Sequence, residues 1–304
     1  MQFASIGLIG YGEVGKIFSA GLRAQQGVRE MGAWDLKFAN PATRATEQAH
    51  AVAAGIVAHT SAKVLCEAST LVISAVTASS TLAVAEEAAK YIRAGSVFLD
   101  FNSASPGTKQ RCAALIEAAG AHYVEAGVMT SVPPYGIKTP MLLGGPMAAT
   151  LAPTLLSWGM DAKVVSEKLG VASAIKMCRS VMIKGLEALV IESYSTARAY
   201  GVEDHVLPTL AETFPSIDWE KTGAYFFSRV VQHGQRRAEE MRESANTVHE
   251  AGFEPFMTAA VADKQQWIAD QAKAGVFKDV GKDTRWQEYA DRLLATKKLV
   301  NNDD

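Results

Sequence analysis

The sequence contains few cysteines, little net charge and no long apolar run. Three cysteines among 304 residues, without metal-like spacing, argue against a disulfide framework and suit a reducing compartment, so we expect a cytoplasmic protein. A net charge of −2 gives no general attraction to nucleic acid or to anionic membranes. No signal peptide is evident, and no stretch reaches the roughly 18 apolar residues of a transmembrane helix. We therefore expect a small-molecule substrate, and neither nucleic acid nor membrane as a partner.

Catalytic patterns of hydrolases and metalloenzymes are also missing. The six histidines form no metal-ligand pattern, so we predict no metal site. No Ser–His–Asp or Cys–His arrangement has motif support, which argues against nucleophilic hydrolysis. We predict that Cys178 is a core residue rather than a nucleophile.

The length and the change of pattern along the chain predict two domains, since single cores stop growing near roughly 250–300 residues. Short apolar runs at 3–9, 31–34, 71–76, 96–101, 122–128 and 141–143, with a weaker one at 56–59, alternate with helical segments at 42–54, 81–92 and 106–119. From 171 onward the pattern is helical, with breaks expected at Gly201, Pro208, Pro215, Gly252, Pro255 and Gly275. We predict an α/β fold, with a doubly wound Rossmann-type domain at 1–166 and an all-α domain at 167–304 that begins with a long helix.

A glycine motif follows the first apolar run. Gly10-x-Gly12-x-x-Gly15 lies between a predicted strand and a predicted helix, the context in which this spacing binds a dinucleotide. The first glycine permits a tight turn, the second lets the pyrophosphate approach the backbone, and the third lets the helix pack on the strand. The alternative is a glycine-rich turn without a ligand.

The cofactor site is expected at the carboxyl ends of the strands. Asp35 ends the second strand, where a carboxylate accepts hydrogen bonds from the ribose hydroxyls and repels a 2′-phosphate, so we predict NAD. Lys37 and Arg44 are close in sequence and leave NADP open, and Asp35 could also be only a solvated strand-end carboxylate. The predicted cofactor-binding residues are Gly10, Tyr11, Gly12, Glu13, Val14, Gly15, Asp35, Val76, Thr77 and Asn102.

A polar ridge runs along the predicted long helix. Lys176, Ser180, Lys184 and Glu187 follow at helical spacing, among positions that are mostly apolar. Such a ridge is either one wall of an active site or a stripe that faces solvent, and periodicity does not separate the two.

Four further segments carry a resemblance to a known family. They are Glu125-Ala-Gly-Val-Met-Thr-Ser131, Gly170-Val-Ala-Ser-Ala-Ile-Lys176, and the pair Val132-Pro-Pro-Tyr-Gly136 and His233-Gly-Gln-Arg-Arg-Ala-Glu-Glu-Met241. With the glycine motif, they make the chain resemble the β-hydroxyacid dehydrogenases, which include 3-hydroxyisobutyrate and 6-phosphogluconate dehydrogenases. The last pair is similar to a branch with a divergent phosphogluconate-dehydrogenase-like C-terminal domain.

The resemblance implies an NAD(P)-dependent oxidoreductase with Lys176 as the catalytic general acid/base. It also implies that Met129, Thr130, Ser131 and Ser180 bind the substrate, with Ser180 standing where the family has an asparagine. Ile183 occupies the position of the glutamate of the sugar-phosphate branch, which argues against 6-phosphogluconate decarboxylation. Relatives often dimerise through the helical domain, so the resemblance favours a homodimer.

The altered substrate segment suggests a different way of holding an anion. His233, Arg236 and Arg237 are predicted to bind substrate, because arginine can bind a carboxylate or phosphate bidentately and histidine titrates near neutral pH. Of the two arginines we favour Arg237. We therefore expect hydride transfer between nicotinamide and a small, anionic hydroxy acid or related alcohol. The alternatives are an imine reductase on the same scaffold, against which Lys176 counts, and a non-catalytic dinucleotide-binding protein.

Overall fold

The computed structural model describes residues 3–281 and 283–300. Contacts divide the chain into a unit that ends at Cys178 and a second unit that begins at Arg179. The boundary expected from the sequence, at 166/167, lies earlier in the chain than this division. The difference arises because the first turns of the long helix pack with the sheet of the first unit.

The first unit is a sheet covered by helices. Its strands are β1 (Ser5–Ile9), β2 (Glu30–Trp34), β3 (Val57–Ala58), β4 (Leu71–Ser74), β5 (Val97–Asp100), β6 (His122–Val128), β7 (Met141–Gly144) and β8 (Ala162–Ser166). Its helices are α1 (Glu13–Arg23), α2 (Leu36–Ala39), α3 (Arg44–Ala53), α4 (Ala62–Ala68), α5 (Thr81–Ala89), α6 (Pro106–Ala118) and α7 (Ala148–Ser157). The strand order β3-β2-β1-β4-β5-β6-β7-β8 confirms the doubly wound Rossmann-type fold.

The strands read as nearly continuous apolar runs because both faces of the sheet are covered. Successive side chains alternate between two cores, so Leu71 and Ile73 pack on one face and Val72 on the other. All neighbouring pairs are parallel except β6 with β7, which runs antiparallel.

The strand register brings the carboxyl ends to one edge. Ile9 lies opposite both Trp34 and Ser74, Ser74 opposite Asp100, and Asp100 opposite Glu125. The residues that follow this row on β1, β2, β4, β5 and β6 therefore leave the sheet at the same edge, on either side of the point where the strand order reverses between β1 and β4.

The second unit is helical, as predicted. It contains most of α8 (Val171–Tyr200), then α9 (Glu203–Thr213), α10 (Trp219–Glu250), α11 (Phe256–Lys273) and α12 (Trp286–Val300). Its core contains Tyr194, Phe227 and Trp286. Two glycines of α10 permit close packing, since a Cβ on Gly223 would overlap the Tyr194 ring, and one on Gly234 would lie 2.8 Å from the Gln265 carbonyl oxygen.

Several local predictions were wrong. Pro208 does not end a helix but lies inside α9, where the buried Leu207 holds the turn against the core. Cys178 is exposed rather than buried. The sequence prediction also missed α4, β8 and α7, the last of which contains Pro153 within the helix.

Candidate functional site

The glycine loop joins β1 to α1 and leaves the start of the helix open. Gly10 has a positive φ of 100°, a conformation that side chains rarely adopt, and its N–H donates to the Trp34 carbonyl at 2.9 Å. A Cβ on Gly15 would overlap the Gly10 carbonyl oxygen, so this glycine permits the close packing of helix on strand. Gly12 is the N-cap of α1 and makes no side-chain cap. Apart from its chain neighbours and the adjoining helix backbone, no heavy atom lies within 4 Å of where its Cβ would be.

These features fit an anion at the start of α1. The first helical residues, Glu13 and Val14, follow Gly12 directly, and the amides of a first turn are donors without partners inside the helix. The helix dipole favours negative charge at the same end. A side chain at position 12 would fill the open space that a pyrophosphate needs.

Asp35 lies at the end of β2, where its carboxylate contacts this loop. Its Oδ2 accepts from the Tyr11 N–H at 2.6 Å, and its Oδ1 accepts from the Lys37 N–H at 2.9 Å, which caps α2. The carboxylate is half-buried rather than fully solvated. Since each oxygen can accept more than one hydrogen bond, ribose hydroxyls can still bind to it.

The Tyr11 side chain packs inside the first unit, against the rings of Phe38 and His50. It is fully buried, its hydroxyl is 3.0 Å from His50 Nδ1, and burial raises its pKa. Its backbone N–H already donates to Asp35. Tyr11 therefore fixes part of the shape of the loop, and its contact with the cofactor stays a prediction.

The cations near Asp35 have local partners. Lys16 Nζ lies 2.7 Å from Glu47 Oε2, and Lys37 Nζ lies 3.9 Å from Glu47 Oε1. The hydrogen bond from Lys16 is the main reason that the pKa of Glu47 is lowered. Arg44 donates to the carbonyls at the end of α2, namely those of Phe38 and Ala39. A 2′-phosphate would have to compete with these contacts.

Asn102 connects the ends of β4 and β5. Its Oδ1 accepts from the Val76 N–H at 2.7 Å and its Nδ2 donates to Ser74 Oγ at 2.9 Å. The side chain is buried, and its own N–H donates to Asp100 Oδ1. Thr77 follows Val76 and is exposed at the same edge. The structure thus brings the predicted cofactor residues of four strands to one edge of the sheet.

A buried ion pair that the sequence analysis missed supports this edge. Lys109 Nζ lies 3.0 Å from Asp100 Oδ1 and 3.1 Å from the Asp100 carbonyl oxygen, and both side chains are buried. The Tyr123 hydroxyl donates to Asp100 Oδ2 at 2.5 Å, and burial, with the Asp100 charge, raises the pKa of Tyr123. These residues come from three elements, and no motif links them in the sequence.

Glu125 anchors the start of α8. Its Oε1 accepts from the N–H groups of Gly170 at 2.7 Å and Ala172 at 3.2 Å, and its Oε2 accepts from the Ser173 N–H at 3.3 Å. The carboxylate is fully buried, and Gly144 on β7 leaves room for it, because a Cβ there would overlap Oε1. A carboxylate at a helix N-terminus is stabilised by the helix dipole.

Lys176 lies one turn further along α8, on top of β6. An ideal Cβ on Gly127 would be 3.0 Å from the Ala172 carbonyl oxygen and 3.5 Å from the Lys176 Cβ, so Gly127 allows the helix to approach the strand. β6 then runs into Met129, whose N–H donates to the Pro140 carbonyl at 2.9 Å, and into Thr130 and Ser131. Lys176 and the start of the predicted substrate segment thus belong to one packed region of the first unit.

The rest of the polar ridge is buried within the second unit. Ser180, Lys184 and Glu187 are 6%, 6% and 1% exposed, so the alternative of a stripe that faces solvent was wrong. Lys184 Nζ lies 2.7 Å from Glu240 Oε2 on α10 and donates to Ser180 Oγ at 3.2 Å.

Arg237 forms a buried ion pair with Glu187. Its Nε donates to Glu187 Oε2 at 2.8 Å, and its second guanidinium nitrogen donates to Glu187 Oε1. Gln265 of α11 donates to Glu187 Oε2 at 3.4 Å. Both oxygens of the carboxylate are therefore engaged, and the structure gives Arg237 a protein partner where the sequence favoured an anion of the substrate.

His233 and Arg236 are more accessible. His233 is half-buried and Arg236 is exposed. Burial is the main cause that lowers the pKa of His233 to about 4, followed by the charges of Arg236, Arg229 and Arg237, which outweigh the opposing effect of Glu240. Arg229, which no motif singled out, thus belongs to the surroundings of the imidazole.

Comparison with known proteins agrees with this architecture. Residues 5–162, half of the chain, match the family model described as the NAD binding domain of 6-phosphogluconate dehydrogenase. The chain belongs to this family. Its helical part matches a second family over residues 197–268, a domain of unknown function, DUF1932. The first unit of this family member is accordingly a nicotinamide-dinucleotide-binding domain, and the predicted resemblance to a branch with a divergent C-terminal domain is confirmed.

Two relatives match this family member over most of its length. An uncharacterized 28.5 kDa protein of Methanothermus fervidus is 30% identical over 83% of this chain and 94% of its own. A conserved hypothetical protein from Sinorhizobium meliloti 1021 is 36% identical, with a TM-score of 0.74 over 95% of both chains.

More distant solved structures share the fold. A 3-hydroxyisobutyrate dehydrogenase of Mycobacterium tuberculosis, solved with L-serine, is 17% identical, with a TM-score of 0.69 over 96% of this chain and 99% of its own. An imine reductase of Streptomyces aurantiacus is 18% identical, with a TM-score of 0.51 over 95% of this chain and 99% of its own. At this identity they support the fold and not a particular substrate.

Membrane spans and metal clusters are absent from the described part of the chain. Within residues 3–281 and 283–300, no helix combines the length and apolar character needed to cross a membrane. Over the same residues, no group of three or more His, Cys, Asp or Glu side chains is arranged as a metal site.

Proposed function

We propose that the protein is an NAD-dependent oxidoreductase that transfers hydride between nicotinamide and a small anionic hydroxy acid, with Lys176 as general acid/base. One observation carries the proposal. The open glycine loop and the strand on which Lys176 packs both reach the same edge of one sheet, where doubly wound proteins bind dinucleotides.

The dinucleotide would be held by backbone groups at this edge. The amides of the first turn of α1 would bind the pyrophosphate, with Gly12 leaving the space, and Asp35 would accept from the ribose hydroxyls. Val76, Thr77 and Asn102 would line the path toward the nicotinamide end. When bound, the nicotinamide ring accepts or donates the hydride.

Lys176 would handle the proton that accompanies the hydride. In oxidation of an alcohol, the neutral amine takes the hydroxyl proton as the C–H bond gives up its hydride and the carbonyl forms. In reduction, the ammonium returns a proton to the developing alkoxide, and its charge stabilises that oxygen. The packing of Lys176 on Gly127 supports this role, because it fixes the start of the side chain over β6.

The substrate is expected to be anionic. Met129, Thr130 and Ser131 follow β6 and would bind it through polar side chains and backbone N–H groups. Ser180, His233 and Arg236 remain predicted substrate residues of the second unit, whereas Arg237 is better explained as a positioning residue, because Glu187 already binds its guanidinium.

Cofactor turnover tests the proposal. The purified protein would be incubated with NAD and a panel of hydroxy acids, hydroxy acid phosphates and, in the reductive direction, imines, while the reduced cofactor is followed by absorbance. Lys176→Met should lower kcat by about 10²–10⁴, since that is the usual contribution of a positioned acid/base. Lys168→Met, an exposed lysine just before α8, is the matched control and should leave turnover unchanged.

Other outcomes assign other functions. Turnover of imines alone would select the imine reductase alternative. Tight NAD binding without turnover of any class would favour a non-catalytic dinucleotide-binding protein. A Lys176→Met variant with most of its kcat would remove the lysine from the mechanism while leaving the cofactor assignment intact.

We also propose that the protein is a homodimer. The outer face of α8 exposes Met182, Leu186 and Leu189, more apolar side chain than one helix normally leaves in water. A second copy would bury them. Light scattering at micromolar concentration should give twice the chain mass, and Leu189→Glu should shift the mass toward one chain; a monomeric wild type would contradict the proposal.

A further inference from the structure

One carboxylate of α3 lies between two lysines that come from different helices. Glu47 Oε2 is 2.7 Å from Lys16 Nζ on α1, and Glu47 Oε1 is 3.9 Å from Lys37 Nζ on α2. We call Lys16 and Lys37 the lysine pair. Glu47 is in the first turn of α3, where the helix dipole stabilises a negative charge. The carboxylate thus connects three helices of the first unit.

The lysine pair adjoins Asp35, the acid expected to bind the ribose. The two N–H groups that donate to the Asp35 carboxylate belong to Tyr11 and Lys37. The Lys16 ammonium lies 5.6 Å from the centre of the Tyr11 ring, and the Lys37 side chain reaches toward Glu47. The ribose hydroxyl that such an acid binds in NAD carries the additional phosphate in NADP. The lysine pair therefore flanks the place where a 2′-phosphate would lie.

Glu47 supplies the anion that this pair of cations would otherwise bind. Its side chain is 16% exposed, less than either lysine, so the contact is partly shielded from water. The hydrogen bond from Lys16 is the largest of the effects that lower the pKa of Glu47, so the carboxylate is charged at neutral pH. An incoming 2′-phosphate would have to displace this carboxylate from the lysines and would be repelled by its charge.

We propose that Glu47 is a specificity-determining residue of the cofactor site, which occupies the lysine pair and thereby excludes the 2′-phosphate of NADP. The inference rests on the proposed use of NAD and adds a second acid to Asp35. The two acids act differently, because Asp35 would accept from the ribose hydroxyls, whereas Glu47 binds lysines and would act only against NADP. Loss of the Glu47 charge should therefore create a phosphate site without removing a ribose contact.

Two adenosine fragments probe this site directly. 5′-AMP and adenosine 2′,5′-bisphosphate differ only in the 2′-phosphate, and calorimetry at constant ionic strength measures the affinity for each. Glu47→Gln keeps the length of the side chain and removes its charge, so it should raise the affinity for the bisphosphate by about tenfold or more and leave that for 5′-AMP within about twofold. NADP and NAD should respond in the same way. Such a gain of affinity cannot result from partial unfolding of the variant.

A matched control separates this effect from net charge. Glu30→Gln removes the same charge from an exposed glutamate at the start of β2, whereas Asp35 follows the other end of that strand, and it should bind both fragments like the wild type. Adding Lys16→Met to Glu47→Gln should remove most of the gain, because the released ammonium is then missing. Equal gains in Glu30→Gln and Glu47→Gln would indicate a general charge effect and would overturn the proposal.

Failure of this inference and failure of the proposed function give different results, because the fragments require no turnover. Selection against the 2′-phosphate that depends on Glu47, in a protein without turnover, would support the inference and refute the oxidoreductase. Turnover with NAD, together with a Glu47→Gln variant that gains no affinity for the bisphosphate, would overturn the inference alone. A wild type that binds the bisphosphate more tightly than 5′-AMP would also overturn it, and one that binds neither fragment nor NAD would refute both.

Discussion

The two units bury charged side chains in different ways. In the first unit, three backbone N–H groups donate to the Glu125 carboxylate. Asp100 accepts from Lys109, but also from a backbone N–H and a tyrosine hydroxyl. In the second unit, the Glu187 carboxylate is bound by side chains of α10 and α11.

Backbone hydrogen bonding explains the difference. Strand ends and helix starts leave N–H groups without partners, and these can satisfy a single buried carboxylate. The middle of a long helix uses its N–H and C=O groups internally. Charges buried between helices therefore have to pair with one another, and the sheet unit and the helical unit should respond differently when one member is removed.

The largest effect on stability is expected when one member of the helical pairs is lost. Arg237→Met leaves Glu187 buried without its cation, which typically costs about 3–5 kcal/mol. The double variant Arg237→Met/Glu187→Met should recover most of that loss, because both charges are gone. Urea unfolding measures both, with Arg242→Met as the control. A double variant less stable than either single variant would contradict the comparison.

In the sheet unit we expect a smaller loss of stability, and no second substitution that would restore it. In Glu125→Gln, one carboxylate oxygen becomes an NH₂ group, which cannot accept a hydrogen bond from the backbone N–H that it faces. That buried N–H is left unsatisfied, which costs about 1–3 kcal/mol. Hydrogen exchange should increase in peptides that cover 170–176. The exposed Glu117 offers a control, Glu117→Gln, which should change neither quantity. Unchanged exchange at the start of α8 would show that Glu125 does not anchor it.

Asp35 extends the comparison to a half-buried carboxylate that also accepts hydrogen bonds from backbone N–H groups. The wild type should bind NAD at least tenfold more tightly than NADP, a difference of about 1.4 kcal/mol. Asp35→Asn keeps an acceptor for the Tyr11 N–H but removes the charge, so the preference should shrink. Calorimetry with both oxidised cofactors decides this. Tighter NADP binding by the wild type would point instead to Lys37 or Arg44.

The smallest effect is a different response of two histidine pKa values to salt. Burial lowers the pKa of His59 in the first unit, whereas burial and arginine charges together lower that of His233 in the second. Raising the ionic strength to about 1 M shortens the screening length from about 10 Å to about 3 Å. The pKa of His233 should therefore rise with salt and that of His59 should hardly change, as NMR titration would measure.

The same histidine sets a pH dependence. The pKa of His233 is about 4 in the folded protein and about 6.5 in an unfolded chain, so the unfolded state binds more protons between these values. Its contribution to stability is full above about pH 6.5 and is lost as the pH falls toward 4. Replacement by asparagine should flatten this part of the stability profile.

The elements that were predicted from the sequence are those whose residue pattern lies within one continuous stretch of the chain. The bounds of β6 and α8 agree with the structure, because one is an isolated apolar run between turns and the other a long segment without proline. Pro208 misled the prediction, since a proline in the first turns of a helix loses few hydrogen bonds and packing can hold the rest.

The candidate site was only partly accessible to sequence reasoning. The glycine loop and Asp35 are predictable because strand, turn and helix follow one another in the chain. The partners of the polar ridge were not, since Glu240 and Gln265 are more than fifty residues from Lys184 and no periodicity connects them. Glu125 had been singled out as the start of a segment, but its role depends on amides 45–48 residues away.

Gly144 restricts how the sequence can vary. Its position opposite Glu125 means that alanine at 144 would collide with a carboxylate that three amides hold in place. Alanine at 144 is therefore costly while Glu125 is present, whereas a shorter acid at 125 would first make room for a methyl group at 144. We expect the two positions to change together and in that order, so that a mutational library covering both should be rich in Glu125→Asp wherever it contains Gly144→Ala.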